Sequence, residues 1–237
     1  MTQLVQDLRF AVRTLAKSPG PTLLALAALA LGIGANSAIY SVVDAVLLHP
    51  LEFREPQRLV VAYQFRAGDD LEALSISPDN FADLREQARS FERIAAYQWW
   101  DVNLTGTGTP ERLQGFLVSP DLFPLLGVQA ALGRSFRPEA ERRGHDEVAL
   151  LSDGLWRRSF AADPAVIGRT LLLNGKPHTI VGVMPPGFAF PLGGPEVWVP
   201  LTLEASLSNR GSRSLRTVGR LAPGVTPAQA GAEVAAL

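Results

Sequence analysis

The sequence predicts an α+β protein: one transmembrane helix near the N-terminus, followed by a mixed α/β domain large enough for two lobes. Three observations predict it. Residues Ser18 to Val43 carry no ionisable side chain, a run of 26 where ~20 suffice for a helix to cross a bilayer. Beyond them the chain turns polar and is punctuated by Gly and Pro. Its strand and helix signals then alternate irregularly, without βαβ spacing, which predicts a mixed sheet.

The first 20 residues form the first predicted segment. On a helical wheel Leu4, Leu8, Ala11, Val12 and Leu15 share one face, and Arg9, Arg13 and Lys17 share the other, with Phe10 as the exception. This is the pattern of an amphipathic helix lying on a membrane surface. Ser18-Pro19-Gly20-Pro21 is expected to turn the chain into the bilayer. The spanning helix is placed at 21–48. Its N-terminal flank holds Arg9, Arg13 and Lys17 against Asp7; the far flank holds His49, Glu52, Arg54, Glu55 and Arg58, with Asp69, Asp70 and Glu72 a little further on, so the basic excess is N-terminal. The positive-inside rule therefore puts the N-terminus in the cytoplasm and residues 49–237 outside. A cleaved signal peptide competes, with Leu23 to Ile33 as its apolar core and Ala35-Asn36-Ser37 as its cleavage site. Against it stand the long amphipathic leader and the apolar character that resumes at Ala38 to Val43 and Ala45 to Leu48.

Small residues recur along the helix at four-residue spacing: Ala30, Gly34 and Ala38 in one stripe, Ser37, Ser41 and Ala45 in the next. Such stripes let membrane helices approach closely, so these six are the candidate helix-packing residues. Ala and Gly are also simply common in membrane helices. From Val42 to Leu51 the apolar run enters the domain with no flexible Gly/Ser linker, as a stiff lever would require.

The domain reads in order. Gln57 to Arg66 alternates as a strand, with Leu59, Val61, Tyr63 and Phe65 on one face. Ser77-Pro78-Asp79 starts a helix by N-cap and first-turn proline, with Phe81 and Leu84 inward. Ser119-Pro120-Asp121 repeats that chemistry, and Gly127 ends the short helix. Ser152 to Ala161 is a helix around Leu155, Trp156 and Phe160. Thr170–Leu173 and Lys176–Met184 flank Asn174-Gly175, the residue pair of a type I′ hairpin turn. Glu196–Leu201 and Ser214–Leu221 are further strands. Thr226-Pro227-Ala228-Gln229 opens a capped helix that is expected to run to Leu237.

Composition narrows the function classes. A net charge of −1 argues against nucleic acid as a partner. The absence of cysteine removes disulfides, thiolate metal sites and thiol nucleophiles together. His49, His145 and His178 stand far apart without ligand-spaced neighbours, so no metal is expected. Gly175-Lys176-Pro177 is not a phosphate loop, and Gly32-x-Gly34-x-x-Ser37 lies inside the apolar run, so no cofactor is expected. There is no G-x-S-x-G elbow. Asp153 and Asp163 read as helix-end and turn residues. Asn103-Leu104-Thr105 fits a glycosylation sequon that recurs by chance. Tyr97, Trp99 and Trp100 are a candidate platform for a ligand or partner, with packing into the core as the plainer reading. No residue carries an enzymatic expectation, and the role left is mechanical or recognitional.

An ordered set of motifs resembles the N-terminal part of a MacB-like/FtsX-like ABC transporter permease, and within that family the group called acidobacterial duplicated orphan permeases. The motifs begin with Gln6-Asp7-Leu8-Arg9, Lys17-Ser18-Pro19-Gly20, Leu29-Ala30-Leu31-Gly32-Ile33-Gly34-Ala35-Asn36-Ser37-Ala38-Ile39 and Asp44-Ala45-Val46-Leu47-Leu48-His49-Pro50-Leu51. In the domain they continue with Leu132-Gly133-Arg134-Ser135-Phe136, Leu151-Ser152-Asp153-Gly154-Leu155-Trp156 and Val181-Gly182-Val183-Met184-Pro185-Pro186-Gly187-Phe188. Trp198-Val199-Pro200-Leu201 and Gly219-Arg220-Leu221-Ala222-Pro223-Gly224-Val225-Thr226 complete the set. His49 stands where the family more often has Arg. The resemblance implies an inner-membrane protein whose first helix leads into a MacB-like periplasmic core domain at 49–237. It implies mechanotransmission serving efflux, lipoprotein release or cell-wall hydrolase control. Its implied partners are membrane lipid, other permease helices or a second copy, and a separate cytoplasmic ATPase. The family's three further membrane helices are not in this sequence. The alternative is a single-pass anchored or secreted periplasmic binding module, with a membrane-tethered hydrolase as a third reading.

Overall fold

A computed structural model of the 237-residue chain describes residues 6, 9, 10, 17, 19–43, 53–63, 75–106, 110–191, 194–203 and 213–237. The chain divides into two compact units, Met1–Glu52 and Phe53–Leu237.

The first unit holds α1, Pro19–Val43, a 25-residue helix with no acidic residue in its first turn and no basic residue in its last. The turn expected at Ser18 to Pro21 is not seen, because Pro19, Gly20 and Pro21 form the first turn of α1. A first-turn proline lacks only an N–H that would have no helical partner there, so it costs the helix little. Gln6, Arg9, Phe10 and Lys17 are helical and exposed; the rest of the expected amphipathic segment lies outside the described residues. So do residues 44–52, which include Ala45, His49 and most of the expected lever. Leu23, Leu24, Leu26, Leu29, Leu31 and Ile33 are each at least 59% exposed. Side chains at 25, 35 and 38–43 lie outside the described set, and among the described residues no helix is long and apolar enough to cross a membrane.

The second unit is built on one nine-stranded mixed sheet, in the order β1-β9-β2-β3-β8-β5-β7-β4, with β6 pairing both β2 and β7. The strands are β1 Leu59–Val60, β2 Phe91–Thr105, β3 Glu111–Val118, β4 Leu132–Gly133, β5 Val148–Leu151, β6 Thr170–Leu173, β7 Lys176–Val183, β8 Val197–Pro200 and β9 Arg216–Leu221. The double pairing of β6 closes a ring, β2-β3-β8-β5-β7-β6. Pairs β3–β8 and β5–β7 are parallel, and the others in the ring are antiparallel. The two lobes allowed by the sequence are thus regions of a single sheet.

Buried residues of the ring form an aliphatic cluster: Val102 and Leu104, Leu113, Ala149 and Leu151, Leu171 and Leu173, Ile180 and Val183, Val197 and Val199, with Trp100, Trp156 and Phe160 packed against it. Leu155 of α4, Asp153–Phe160, joins it, as does Val166. Ile180 and Val183 both face inward, although three residues apart, because a register shift between Ala149 and Leu150 re-phases the β5–β7 pair. The outer face of these strands packs on α3, Leu122–Leu126, through Phe116, Phe123, Leu150 and Trp198. The other face of β2 and β9 is covered by α2, Pro78–Gln87, through Phe81 and Leu84. The chain closes with α5, Pro227–Ala236.

Local signals in the sequence are borne out where they rest on caps and turns. Ser77 Oγ accepts from Asn80 N–H, Ser152 Oγ from Leu155 N–H, and Thr226 and Gln229 form a full capping box. Asn174 and Gly175 take φ of 49° and 76° in the β6–β7 turn. Three expectations are corrected. Ser119 does not cap a helix; it lies buried and its Oγ accepts from Ala96 N–H of β2, while α3 begins after Asp121. Among the described residues, the strand expected over Gln57 to Arg66 is paired only at Leu59 and Val60, and Pro56–Arg58 is a 3-10 turn. Nor do its residues keep one face: Leu59 packs against the core while Val61 and Tyr63 are exposed. Ala62 is buried, held by the Thr217 hydroxyl on its carbonyl.

Candidate functional site

The residues where the chain enters the second unit carry its densest polar organisation. The lead-in segment, 53–58, starts with Phe53, whose ring meets those of Phe190 and Phe188 edge-on at 5.7 and 6.4 Å. Arg54 N–H donates to Leu126 O at 3.1 Å, in the last turn of α3. Gly127 ends α3 at φ 75°, and a Cβ there would lie 2.6 Å from Arg54 Cβ. Glycine at this position therefore serves both the helix end and the passage of the lead-in. Glu55 follows in the left-handed region at φ 44°, and Arg58 N–H closes the turn onto Glu55 O at 3.0 Å.

Two arginines grip this turn. Arg58 works from the outside. Its Nε donates to Leu221 O at 2.9 Å, and it pairs with Glu55 at 2.6 Å and Glu92 at 2.5 Å. Arg220 of β9 works from within, at 2% exposure. Its Nε and Nη2 donate to Leu125 O at 2.9 and 2.8 Å, Nη1 to Glu55 O at 3.3 Å, and Nη2 also to Arg54 O. The Glu55 carboxylate stands 3.8 Å from Nη1. Burial depresses the Arg220 pKa, the Arg58 charge adds to that, and Glu92 and Glu55 oppose it. A guanidinium stays charged under such a shift, so a full positive charge lies inside the domain. It is satisfied by carbonyls, two of them from the lead-in and one from the last turn of α3, where helix carbonyls lack internal partners.

The last helix is tied to the same end of the sheet. The Glu233 carboxylate of α5 accepts from Arg89 N–H and Ser90 N–H at 2.8 Å each. A bond to Ser90 and these backbone donors hold its pKa below the ordinary value. Ala222 N–H donates to Ser90 O at 2.8 Å. Lead-in and last helix thus converge where β9 ends and β2 begins. Beside them lies a groove of about 880 Å³ between β1, α2 and α5, lined by Val61, Tyr63, Leu84, Pro227 and Val234 among others.

The candidate helix-packing residues form no such site. In α1, Ala30, Gly34 and Ser37 are exposed, and a Cβ at Gly34 would meet nothing within 4 Å. Ala38 and Ser41 are helical with side chains outside the described set, and Ala45 lies outside the described residues. The aromatic trio is divided. Trp99, 48% exposed, stacks edge-on against Phe116 at 4.9 Å, Tyr97 is half-buried beside Phe190, and Trp100 faces His178. Asp153 pairs with Arg157, Asp163 caps Ala165 N–H, and Asn103 lies within β2, its N–H bonded to the Asn174 side chain. No group of three metal-ligating side chains occurs among the described residues. Sequence reasoning missed Arg220 as a functional residue. Its signal was a second arginine, four residues after Arg216, set between Gly219 and Leu221 in the strand Arg216–Leu221.

Residues 22–237 match the family described as the MacB-like periplasmic core domain. The chain is 27% identical over 112 residues to the macrolide export ATP-binding/permease protein MacB of Burkholderia thailandensis. That match takes in 47% of this chain and 16% of the relative, so the chain spans about a sixth of the protein it matches. The fold is similar to the extracellular domain of the noncanonic ABC-type transporter YknZ from Gram-positive bacteria. The TM-score is 0.58 at 13% identity, over 75% of this chain and 91% of that one. It is also similar to the periplasmic region of MacB from Actinobacillus actinomycetemcomitans, with a TM-score of 0.57 at 13% identity over 74% and 79% of the two chains.

Proposed function

The chain belongs to the MacB-like periplasmic core domain family, and from that premise we propose that it is the anchor-and-domain portion of an ABC-transporter-type permease. In this reading α1 spans the inner membrane with the N-terminus in the cytoplasm and the second unit outside. The permease relays movement of its membrane helices to that outer domain, in the service of efflux. Energy comes from a separate cytoplasmic ATPase, and α1 packs on other permease helices or on a second copy. The chain itself performs no covalent chemistry.

The observation that carries the reading is the extent of the family match, which takes in α1 and the outer domain together. Three features support it. The uncharged run suits a bilayer core of about 30 Å, since 25 helical residues reach roughly 38 Å. Leu23, Leu24, Leu26, Leu29 and Leu31 are exposed, and lipid or neighbouring helices would cover them. The lead-in is bonded into the sheet through its main chain, as a relay requires.

Because the chain has no cysteine, single engineered thiols test the topology. With the outer membrane permeabilised, a membrane-impermeant maleimide should label Glu139→Cys in intact cells and leave Lys17→Cys unlabelled until lysis. Labelling of both, or of Lys17→Cys alone, contradicts the arrangement. Cleavage after residues 35–37 would instead favour a released binding module.

A further inference from the structure

We infer that Arg220 is the positioning residue that makes the lead-in segment, α3 and β9 one rigid body. Its importance for transport rests on the proposed relay, but the clasp itself does not depend on it. The carbonyls of Arg54 and Glu55 are consecutive, and the left-handed Glu55 turns both toward one buried cation. A non-glycine residue holds that conformation only when its surroundings over-determine it. The guanidinium does so, because its donors are spread in a fixed plane and meet three carbonyls from two separate stretches of chain at once. If the lead-in lifted away, a buried charge would lose two of its three carbonyl partners together and keep only Leu125 O.

The other ties of the lead-in are of a different kind. Arg58 donates to Leu221 O of β9 but reaches no part of α3, and its acid partners are 42% and 37% exposed, so salt screens those pairs. The Phe53 contacts are apolar and carry no direction. The bond from Arg54 N–H to Leu126 O sets a position, but it involves neither β9 nor the Glu55 turn. Only Arg220 connects lead-in, helix end and sheet through one group. A displacement delivered at Arg54 therefore reaches β9 without slack.

Hydrogen exchange on the full chain in lipid nanodiscs tests this directly. The reporters are the Arg54 and Arg58 amides, which are bonded to Leu126 O and Glu55 O. Arg220→Gln should raise exchange there by about 100-fold beyond a control, Leu155→Ala, compared at matched global stability. Arg220→Lys should fall between, since its three donors radiate from one nitrogen and lack the planar spread of the guanidinium. Exchange at 54–58 that rises no further than in the control overturns the inference. Should Arg220→Gln fail to fold, Glu55→Gly decides. Glycine accepts the left-handed turn and keeps both carbonyls, so protection should persist; its loss would show that the carboxylate pair, rather than the carbonyl clasp, holds the segment. Transport is not read in these experiments, so a failed relay would leave the clasp result standing.

Discussion

The closed ring and the lead-in end of the same sheet are held together by different physics. In the ring the fully buried cluster is aliphatic, with Trp100, Trp156 and Phe160 packed against it, and the shape follows from burying these side chains: any well-packed set of similar volume would give it. At the other end, Ser77, Ser119, Thr217 and Arg220 are buried, four of the five buried polar residues among those described, the fifth being His178. Each bonds main-chain groups, and Ser119, Thr217 and Arg220 each hold a chain segment remote in sequence. No buried side-chain nitrogen or oxygen among the described residues lacks a partner. The ring contributes stability that is tolerant of detail. The lead-in end contributes a specific placement, which apolar packing alone specifies poorly.

Perturbations of the two regions should therefore separate. The largest effect is expected from Leu155→Ala in the ring, about 3–5 kcal/mol by calorimetry of the full chain, with the exchange pattern of 54–58 keeping its rank order. Arg220→Met should cost about 2–4 kcal/mol, because it orphans buried carbonyls, and its exchange change should centre on the lead-in and α3. If both variants spread their effects evenly over the domain, the division fails. Thr226→Ala removes the cap of α5 and should cost about 1 kcal/mol, with fraying confined to that helix.

The smallest effect concerns pH. Burial lowers the His178 pKa from its ordinary value of 6.5, although the Lys176 carbonyl and the charges of Glu147 and Asp146 oppose this. The folded state thus favours the neutral ring. His178 contributes stability that is fully present above about pH 6.5 and declines as the pH falls toward its folded-state value, where the decline stops. His178→Gln should flatten the melting temperature between about pH 7 and pH 5. An unchanged slope would mean that the ring end is held by other groups.

How much of this the sequence disclosed follows the same division. Caps, the Asn174-Gly175 turn and the Gly127 stop are encoded within a few residues, and they were legible. β2 was not. Phe91 to Thr105 carries Ile94, Ala95 and Ala96 in succession, and these enter different cores. A strand buried on both faces loses the alternation that announces it. The ring was equally hidden, since it depends on Leu104 meeting Leu173 and Leu172 meeting Thr105 across nearly 70 residues. Arg220 sat in a recognised motif, yet its role lies in carbonyls of Arg54, Glu55 and Leu125, which no local pattern brings together. The small-residue stripe of α1 shows the converse: it is plain in the sequence, and its described members Ala30, Gly34 and Ser37 are exposed.

The most direct test of the relay is an insertion of four glycines after Leu48 in the full-length permease, with transport measured alongside the exchange pattern of the outer domain. The account predicts that transport is lost while the domain, its ring and the Arg220 clasp remain protected as before. Undiminished transport with the insertion in place would contradict it, because a relay cannot work through a flexible joint.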